Sequence, residues 1–342
     1  MRHRFHSAPL IQAAELLLQE RVPNSAETSD FLPALEVLSK AGEPAQPPIR
    51  RIPSPTSVVP STHVLSNGRY GVMITAAGSG YSSWHKVAVT RWREDVTRDN
   101  WGSYIYLRDV ASGQLWSAGY QPTVTVPDHY EVIFAEDRVR ITRTDGDIVT
   151  VLEIVVSPED DAEIRRLSIT NYGAHTREIE ITSYAEIVLA SQSADIAHPA
   201  FSNLFIHTEH LPSVHGLIAE RRQRADGDAP IWAAHVLGGR QNGTGFQYET
   251  DRARFIGRGQ TLRNPIAVMD GRPLTNTVGA VLDPIFSLRT RIRITAGATE
   301  HLTFTTVVAS SRLAVEDAAD KYHNIAAFER VSAMAWTHAH VL

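Results

Sequence analysis

Apolar and polar residues alternate with a period of two through most of this chain, and turn-forming residues interrupt the pattern at intervals. Between Glu163 and Asn171, Leu167 and Ile169 fall on one side and Arg166 and Ser168 on the other. Between Arg177 and Glu186, Ile179 and Ile181 oppose Glu178 and Glu180. Side chains alternate across a strand, so each run offers one face to a core and the other to water. Such one-sided strands belong to antiparallel sheets, not to parallel sheets covered on both faces. Asn67-Gly68, followed by Tyr70, Val72 and Ile74, is a hairpin signal, and so is Asp145-Gly146. Asn171-Tyr172-Gly173 is expected to fold Glu163–Asn171 back onto Arg177–Glu186 as a hairpin. Ala296-Gly297-Ala298 is expected to do the same for Phe286–Ile294 and Glu300–Val308. In that pair Phe286, Leu288, Ile292 and Ile294 share one face, and Arg289, Arg291 and Arg293 the other. The expected fold is mainly β, a large antiparallel sandwich.

The two ends read differently. Residues 9–22 predict a short helix: Pro9 suits its first turn, Leu10, Ala14 and Leu17 make a stripe, and Pro23 stops it. Residues 42–60 hold six prolines and no periodicity, which makes them an extended arm or a spacer. Residues Arg312–Tyr322 and Ile325–Val341 predict two helices, with Asn324 as the N-cap of the second. Ile325, Phe328, Val331, Ala335 and His338 fall near one face of it, with no evident partner for that stripe. The expected division is an N-terminal helix and arm over 1–60, a sandwich over 61–311 and helices over 312–342.

Composition narrows the function. The net charge is −5, so there is no basic excess to neutralise phosphates and no nucleic-acid partner is expected. There are no cysteines, which removes disulfides, thiolate nucleophiles and cysteine zinc sites. No apolar run approaches the ~20 residues of a membrane helix. The N-terminus MRHRFHSAPL is basic but lacks the apolar core of a signal peptide. A cytoplasmic location is expected, with any inner-membrane association passing through a partner.

Several motifs bear on chemistry. AAGSGYSS, residues 76–83, follows a strand, but its glycine pattern is incomplete and no Gly-Lys-Ser/Thr follows. A tight loop allowing close backbone approach is the better reading. No Gly-x-Ser-x-Gly elbow supports a serine hydrolase. His207 and Glu209 share a strand face, but no third metal ligand is signalled. Glu94, Asp95 and Asp99 are the best acid–base candidates, because they lie beside aromatic rings. Glu159-Asp160-Asp161 reads as a solvated turn.

One stretch stands out. RWREDVTRDNWGSYIYLRD, residues 91–109, places two tryptophans, four arginines and four acids in nineteen positions. Indole rings stack on the apolar faces of sugars, while charged and amide side chains take the hydroxyls. Trp84, Trp92, Trp101 and Trp116, with Arg93, Asp95, Arg98, Asp99 and Asn100, have that chemistry. In the alternative reading the rings close one end of the sandwich and the charges pair with one another. Arg91, Arg93, Arg98 and Arg108 then balance Glu94, Asp95, Asp99 and Asp109.

Residues 63–123, HVLSNGRYGVMITAAGSGYSSWHKVAVTRWREDVTRDNWGSYIYLRDVASGQLWSAGYQPT, closely resemble the start of the phosphorylase-like region of bacterial cyclic β-1,2-glucan synthases. That region belongs to glycoside hydrolase family 94, formerly glycosyltransferase family 36. Arg4-Phe5-His6 and Ala13–Pro23 resemble the segment upstream, and DKYHNIAAFERVSAMAWTHAHV resembles the linker helices. The resemblance implies a galactose-mutarotase-like supersandwich followed by helices leading to a catalytic (α/α)6 barrel, before which this chain ends. It therefore implies no catalytic residue, metal or cofactor here. The residues it brings into question are Trp84, Trp92, Arg93, Asp95, Arg98, Asp99 and Trp101, which would bind carbohydrate or dock the barrel. The implied partners are a β-glucan oligosaccharide, the barrel and a second copy in a homodimer. Two other readings stay open: a stand-alone aldose epimerase using a His and a Glu on an open sheet face, and a purely structural fragment.

Overall fold

The computed structural model describes residues 49–341, apart from 96, 224–229 and 240–244. The helix read at 9–22 and the arm before residue 49 lie outside the described residues. The strands, in chain order, begin with β1 (Arg50–Ile52), β2 (Thr62–Ser66), β3 (Tyr70–Thr75), β4 (Gly80–Trp84), β5 (Val87–Thr90) and β6 (Tyr104–Asp109). They continue with β7 (Leu115–Ser117), β8 (His129–Phe134), β9 (Val139–Asp145), β10 (Ile148–Val156), β11 (Ala162–Asn171) and β12 (Arg177–Ala190). The last six are β13 (Ile206–Leu211), β14 (Gly216–Arg221), β15 (Ile231–Gly239), β16 (Gln247–Asp251), β17 (Pro284–Ile294) and β18 (Thr299–Ala309).

These strands form two antiparallel sheets, as the alternation requires. One runs β1-β8-β9-β10-β11-β18-β15-β14-β13. The other runs β16-β17-β12-β5-β4-β3-β2, with β6 paired to β12 and β7 to β6. The core lies between them, with Val72, Ile141, Leu167, Ile179, Leu288 and Phe304 among its buried members. The hairpins at Asn67-Gly68 and Asp145-Gly146 form, joining β2 to β3 and β9 to β10. Both glycines have positive φ, at 87° and 58°.

Two of the expected hairpins do not form. β11 pairs with β10 and β18, whereas β12 lies in the other sheet, beside β6 and β17. β17 and β18 are likewise in opposite sheets. Each connection is an arch that carries the chain across the core. The arches sit side by side, since Asn171 N–H donates to Ala298 O at 3.0 Å and Gly297 N–H donates to Asn171 O at 2.8 Å. Alternation cannot separate the two cases, because hairpin and arch both turn their apolar faces inward.

Both outer faces are covered in part. On the first sheet lie α5 (Arg312–His323) and α6 (Ala327–Val341), reached after four shorter helices. The stripe that lacked a partner in the sequence finds one within the chain. Phe328 and Val331 are buried with Val155, Ile164, Ala234 and Val307, and Ala335 is also buried. Arg166 on β11 lies 4.0 Å over the Phe328 ring and pairs with Glu153 and Glu329. On the second sheet, residues 252–283 pack Phe255, Ile256 and Val268 against Tyr104, Tyr106 and Tyr184. This cover also buries Glu180, which the alternation assigns to water. Two-sided burial is what the simple one-wet-face pattern misses.

Glu159-Asp160-Asp161 is not a solvated turn. Asp161 accepts from Trp84 Nε1 at 2.7 Å and Arg69 Nε at 2.8 Å. Asp160 accepts from Lys321 Nζ at 2.6 Å and Tyr322 Oη at 2.7 Å. Asn67 Nδ2 donates to the Ser157 and Asp160 carbonyls. One turn therefore ties the β2–β3 hairpin and β4 to α5. Burial pushes the Asp160 carboxyl up, but the Lys321 and Tyr322 hydrogen bonds outweigh it and hold it below the usual aspartate range.

Phe328→Ala removes a ring that is 1% exposed. It is expected to cost about 3–5 kcal/mol, read as a lowered urea midpoint at unchanged slope. An unchanged midpoint would mean that α6 is not packed as described.

Candidate functional site

Residues 91–103 connect β5 to β6, both of which pair with β12. Local hydrogen bonds shape the segment. Asp95 accepts from Thr97 N at 2.9 Å and Thr97 Oγ1 at 2.6 Å, and Arg98 N donates to Asp95 O at 3.0 Å. These bonds hold the exposed Asp95 carboxyl below its ordinary range. Gly80 N–H donates to Trp101 O at 2.8 Å. A Cβ on Gly80 would sit 1.8 Å from the Met73 carbonyl oxygen, so only glycine permits this approach. The close backbone contact expected of residues 76–83 is thus made by Gly80 against Met73.

The segment is rooted in a buried ionic network. Arg91 is 6% exposed and reaches Glu186 at 2.6 Å, Asp283 at 3.0 Å and Asp195 at 3.3 Å. Its Nη2 also donates to Asn203 Oδ1 at 2.9 Å. Arg252 reaches Glu186 at 2.7 Å and Asp283 at 3.3 Å, and Arg93 reaches Asp195 at 2.5 Å. Tyr184 donates its hydroxyl to Glu186 at 2.7 Å. Three guanidiniums thus meet three carboxylates. Burial works against the charge on Arg91, but Glu186, Asp195 and Asp283 outweigh it and raise its pKa. The carboxylates come from β12, from α1 (Gln192–Ala197) and from the residue before β17. After α1 follows α2 (Pro199–Asn203), which supplies Asn203, and Arg252 opens α3 (Arg252–Ile256).

Three clefts open along the segment. One of about 500 Å³ is lined by Asn100, Trp101, Glu186, Arg252, Gln260 and Leu262. A second, of about 270 Å³, is lined by Tyr81, Lys86, Trp92, Arg93, Glu94, Gln192 and Asp195. The third, of about 220 Å³, is lined by Thr75, Thr97, Arg98, Asp99, Tyr120 and Gln121, with residues 55–61 along its other side. Arg93 lies between the first two, with its guanidinium 5.9 Å from the Trp101 ring and donating to Trp92 O at 2.9 Å. Asp99 Oδ2 accepts from Thr75 Oγ1 at 2.9 Å. Burial pushes its carboxyl up, against the Thr75 and Ser79 hydroxyls.

The seven residues singled out in the sequence therefore divide. Trp92, Arg93 and Trp101 gather around the two larger clefts, and Asp99 and Arg98 line the third. Asp95 is exposed and occupied locally. Trp84 is tied to Asp161, and Trp116 is sealed in the core at 1% exposure. The alternative reading, in which the charges pair with one another, does not hold: among the described residues, only Arg98 and Asp95 pair within the stretch, at 3.7 Å. Arg91 and Arg93 pair with residues about a hundred positions away, and Asp109 pairs with Arg177 at 2.8 Å. Glu186, Asp195, Arg252, Gln260 and Asp283 were missed, since only the tertiary fold brings them here.

The carboxylates of the buried network are already committed to guanidiniums. Each oxygen of Glu186 is claimed by a guanidinium. Among the described residues no group of three His, Asp or Glu side chains is placed to hold a metal ion. His235, the most buried candidate base, bonds Thr306 and Ser183 between Phe286 and Phe304, and burial pushes it down to about 3. Glu209 is paired at both oxygens by Arg312, at 3.0 and 2.9 Å. No helix of the described residues is long and apolar enough to cross a membrane.

Comparison with known proteins gives a consistent picture. The family model "Glycosyl hydrolase 94, supersandwich domain" matches residues 45–325. Cyclic beta-(1,2)-glucan synthase NdvB of Rhizobium meliloti (strain 1021) is 39% identical, over 100% of this chain and 12% of that protein. N,N'-diacetylchitobiose phosphorylase of Vibrio furnissii is 27% identical, over 65% of this chain and 27% of its own. A bacterial glucoamylase solved with acarbose superimposes with a TM-score of 0.48 at 8% identity, over 85% of this chain and 40% of its own. The chain thus spans a small part of the curated relatives it matches.

Two outcomes are expected. Arg91→Met leaves Glu186 and Asp195 buried without their main partner and should cost about 3–5 kcal/mol in urea unfolding. Asp99→Asn should stabilise at neutral pH, because the folded pKa of Asp99 lies above its unfolded value of 3.8. The gain should shrink as pH falls through the folded pKa and vanish below the unfolded one. A gain that does not change over that window would contradict the burial of this carboxyl.

Proposed function

The chain belongs to the glycosyl hydrolase 94 supersandwich-domain family, and from that premise we propose a non-catalytic, sugar-facing module of a β-1,2-glucan-processing enzyme that docks on a catalytic (α/α)6 barrel. The observation that carries this reading is the Trp101 cleft. It combines one half-buried indole with Asn100, Gln260, Arg252 and Glu186 around a space of about 500 Å³. That volume falls in the range of ordinary small-ligand sites.

The physical case is one of complementarity. A pyranose presents flat C–H faces that favour an aromatic ring and a rim of hydroxyls that needs both donors and acceptors. Trp101 supplies the ring. Arg252 supplies donors already fixed by Glu186 and Asp283, so little side-chain entropy is lost on binding. The network at the cleft floor balances three positive against three negative groups, which suits a neutral ligand. The name of NdvB supports β-1,2-glucan as that ligand, and the small share of it that this chain spans supports a catalytic body elsewhere.

Isothermal titration of the chain against linear and cyclic β-1,2-glucans tests the proposal. Saturable heat is expected, with affinity falling roughly tenfold in Trp101→Ala, the scale of one lost aromatic stack. No heat with any glucan would leave only the docking role, and unchanged affinity in the variant would move the sugar away from this cleft.

A further inference from the structure

The Trp101 cleft has a neighbour that a single sugar ring would leave unused. We infer that the Tyr81–Trp92 groove is a second sugar platform, joined to the Trp101 cleft across Arg93, so that the domain grips a run of consecutive sugar units. This rests on the sugar-facing reading above and goes further, to the length of the ligand.

The groove is built from rigid parts. Tyr81 stands on β4, and its ring meets Trp92 at 5.4 Å with the planes inclined by 48°. Both rings are only half-buried, so each keeps part of a face towards the groove. Gln192 and Asp195 of α1 stand opposite, and Lys86 and Glu94 stand at the exposed rim. This repeats the chemistry of the first cleft, with an aromatic wall, an amide and charged groups of both signs. The two spaces are not separate sites on distant faces. Arg93 lines the groove with its side chain and lies 5.9 Å from the Trp101 ring that lines the cleft. Its position is fixed by the Asp195 carboxylate at 2.5 Å and by the Asp195 carbonyl at 3.2 Å.

A ligand that covers both platforms gains from the second contact at high effective concentration, because the first already holds it in place. Affinity should therefore climb with chain length, which one isolated cleft would not give. Nothing in the two linings needs a charged sugar, so the ligand class is a neutral oligosaccharide or polysaccharide of glucose-like units.

The test is titration of the whole chain with a β-1,2-linked disaccharide and with longer linear β-1,2-glucans. The unaltered chain should bind the longer glucans at least about tenfold more tightly than the disaccharide. Trp92→Ala should flatten that dependence while keeping disaccharide affinity within about twofold, and Tyr81→Ala should do so in part. Trp92→Tyr, which keeps a ring, should retain most of the dependence and guards against a folding defect. Equal affinity for short and long glucans, or length dependence that survives Trp92→Ala, would overturn the two-platform inference alone. Absence of binding to every glucan would overturn the sugar-facing reading as well. Those two failures are distinct in the same titrations.

Discussion

Arg91 ties β12, α1, α2 and the residue before β17 to the segment that leaves β5. A buried guanidinium must be matched by carboxylates held at hydrogen-bond distance, or its desolvation outweighs what it gains. Here the match comes from β12, α1 and the start of β17, with Arg252 bridging to α3. These segments meet at one point, where the charges are paired. The walls of the two larger clefts follow from that point. Arg93 and Trp92 adjoin Arg91 in the chain, Asp195 serves both arginines, and Glu186 and Arg252 form the floor under Trp101. The ionic network and the concave surface are thus one construction.

Much of the fold could be read from the amino-acid order. The strands read at 163–171, 177–186, 286–294 and 300–308 lie close to β11, β12, β17 and β18, and Arg312–Tyr322 and Ile325–Val341 correspond closely to the helices α5 and α6. Partnership was harder to read. Leu167 and Ile179 both face the core, and nothing in their periodicity says that they reach it from opposite sheets. The stripe on α6 likewise carries no label for the sheet it covers. Glu180 alternates as a surface residue should, and only the cover formed by residues 252–283 makes it a buried one.

The candidate site was legible to the same degree. Residue type and crowding drew attention to residues 91–109, and Trp92, Arg93 and Trp101 do line clefts. The same crowding suggested that the charges neutralise each other locally, and here it misled. Local sequence cannot show that Arg91 prefers carboxylates supplied by residues 186, 195 and 283. Nor can it show that Trp84 spends its indole N–H on Asp161 or that Trp116 fills the core. Tryptophan count drew attention to the region, and only burial and hydrogen bonding separate its members.

The paired arches carry a consequence for synthesis. β11, which ends at Asn171, and β12, which ends at Ala190, each keep one edge unpaired until β18 begins at Thr299 and β17 at Pro284. A nascent chain emerging from the ribosome must hold two open sheet edges through all the intervening translation. Long sequence separation of this kind slows folding and leaves strand edges exposed to mispairing. The two arches therefore set the stage at which these last open edges of both sheets are closed.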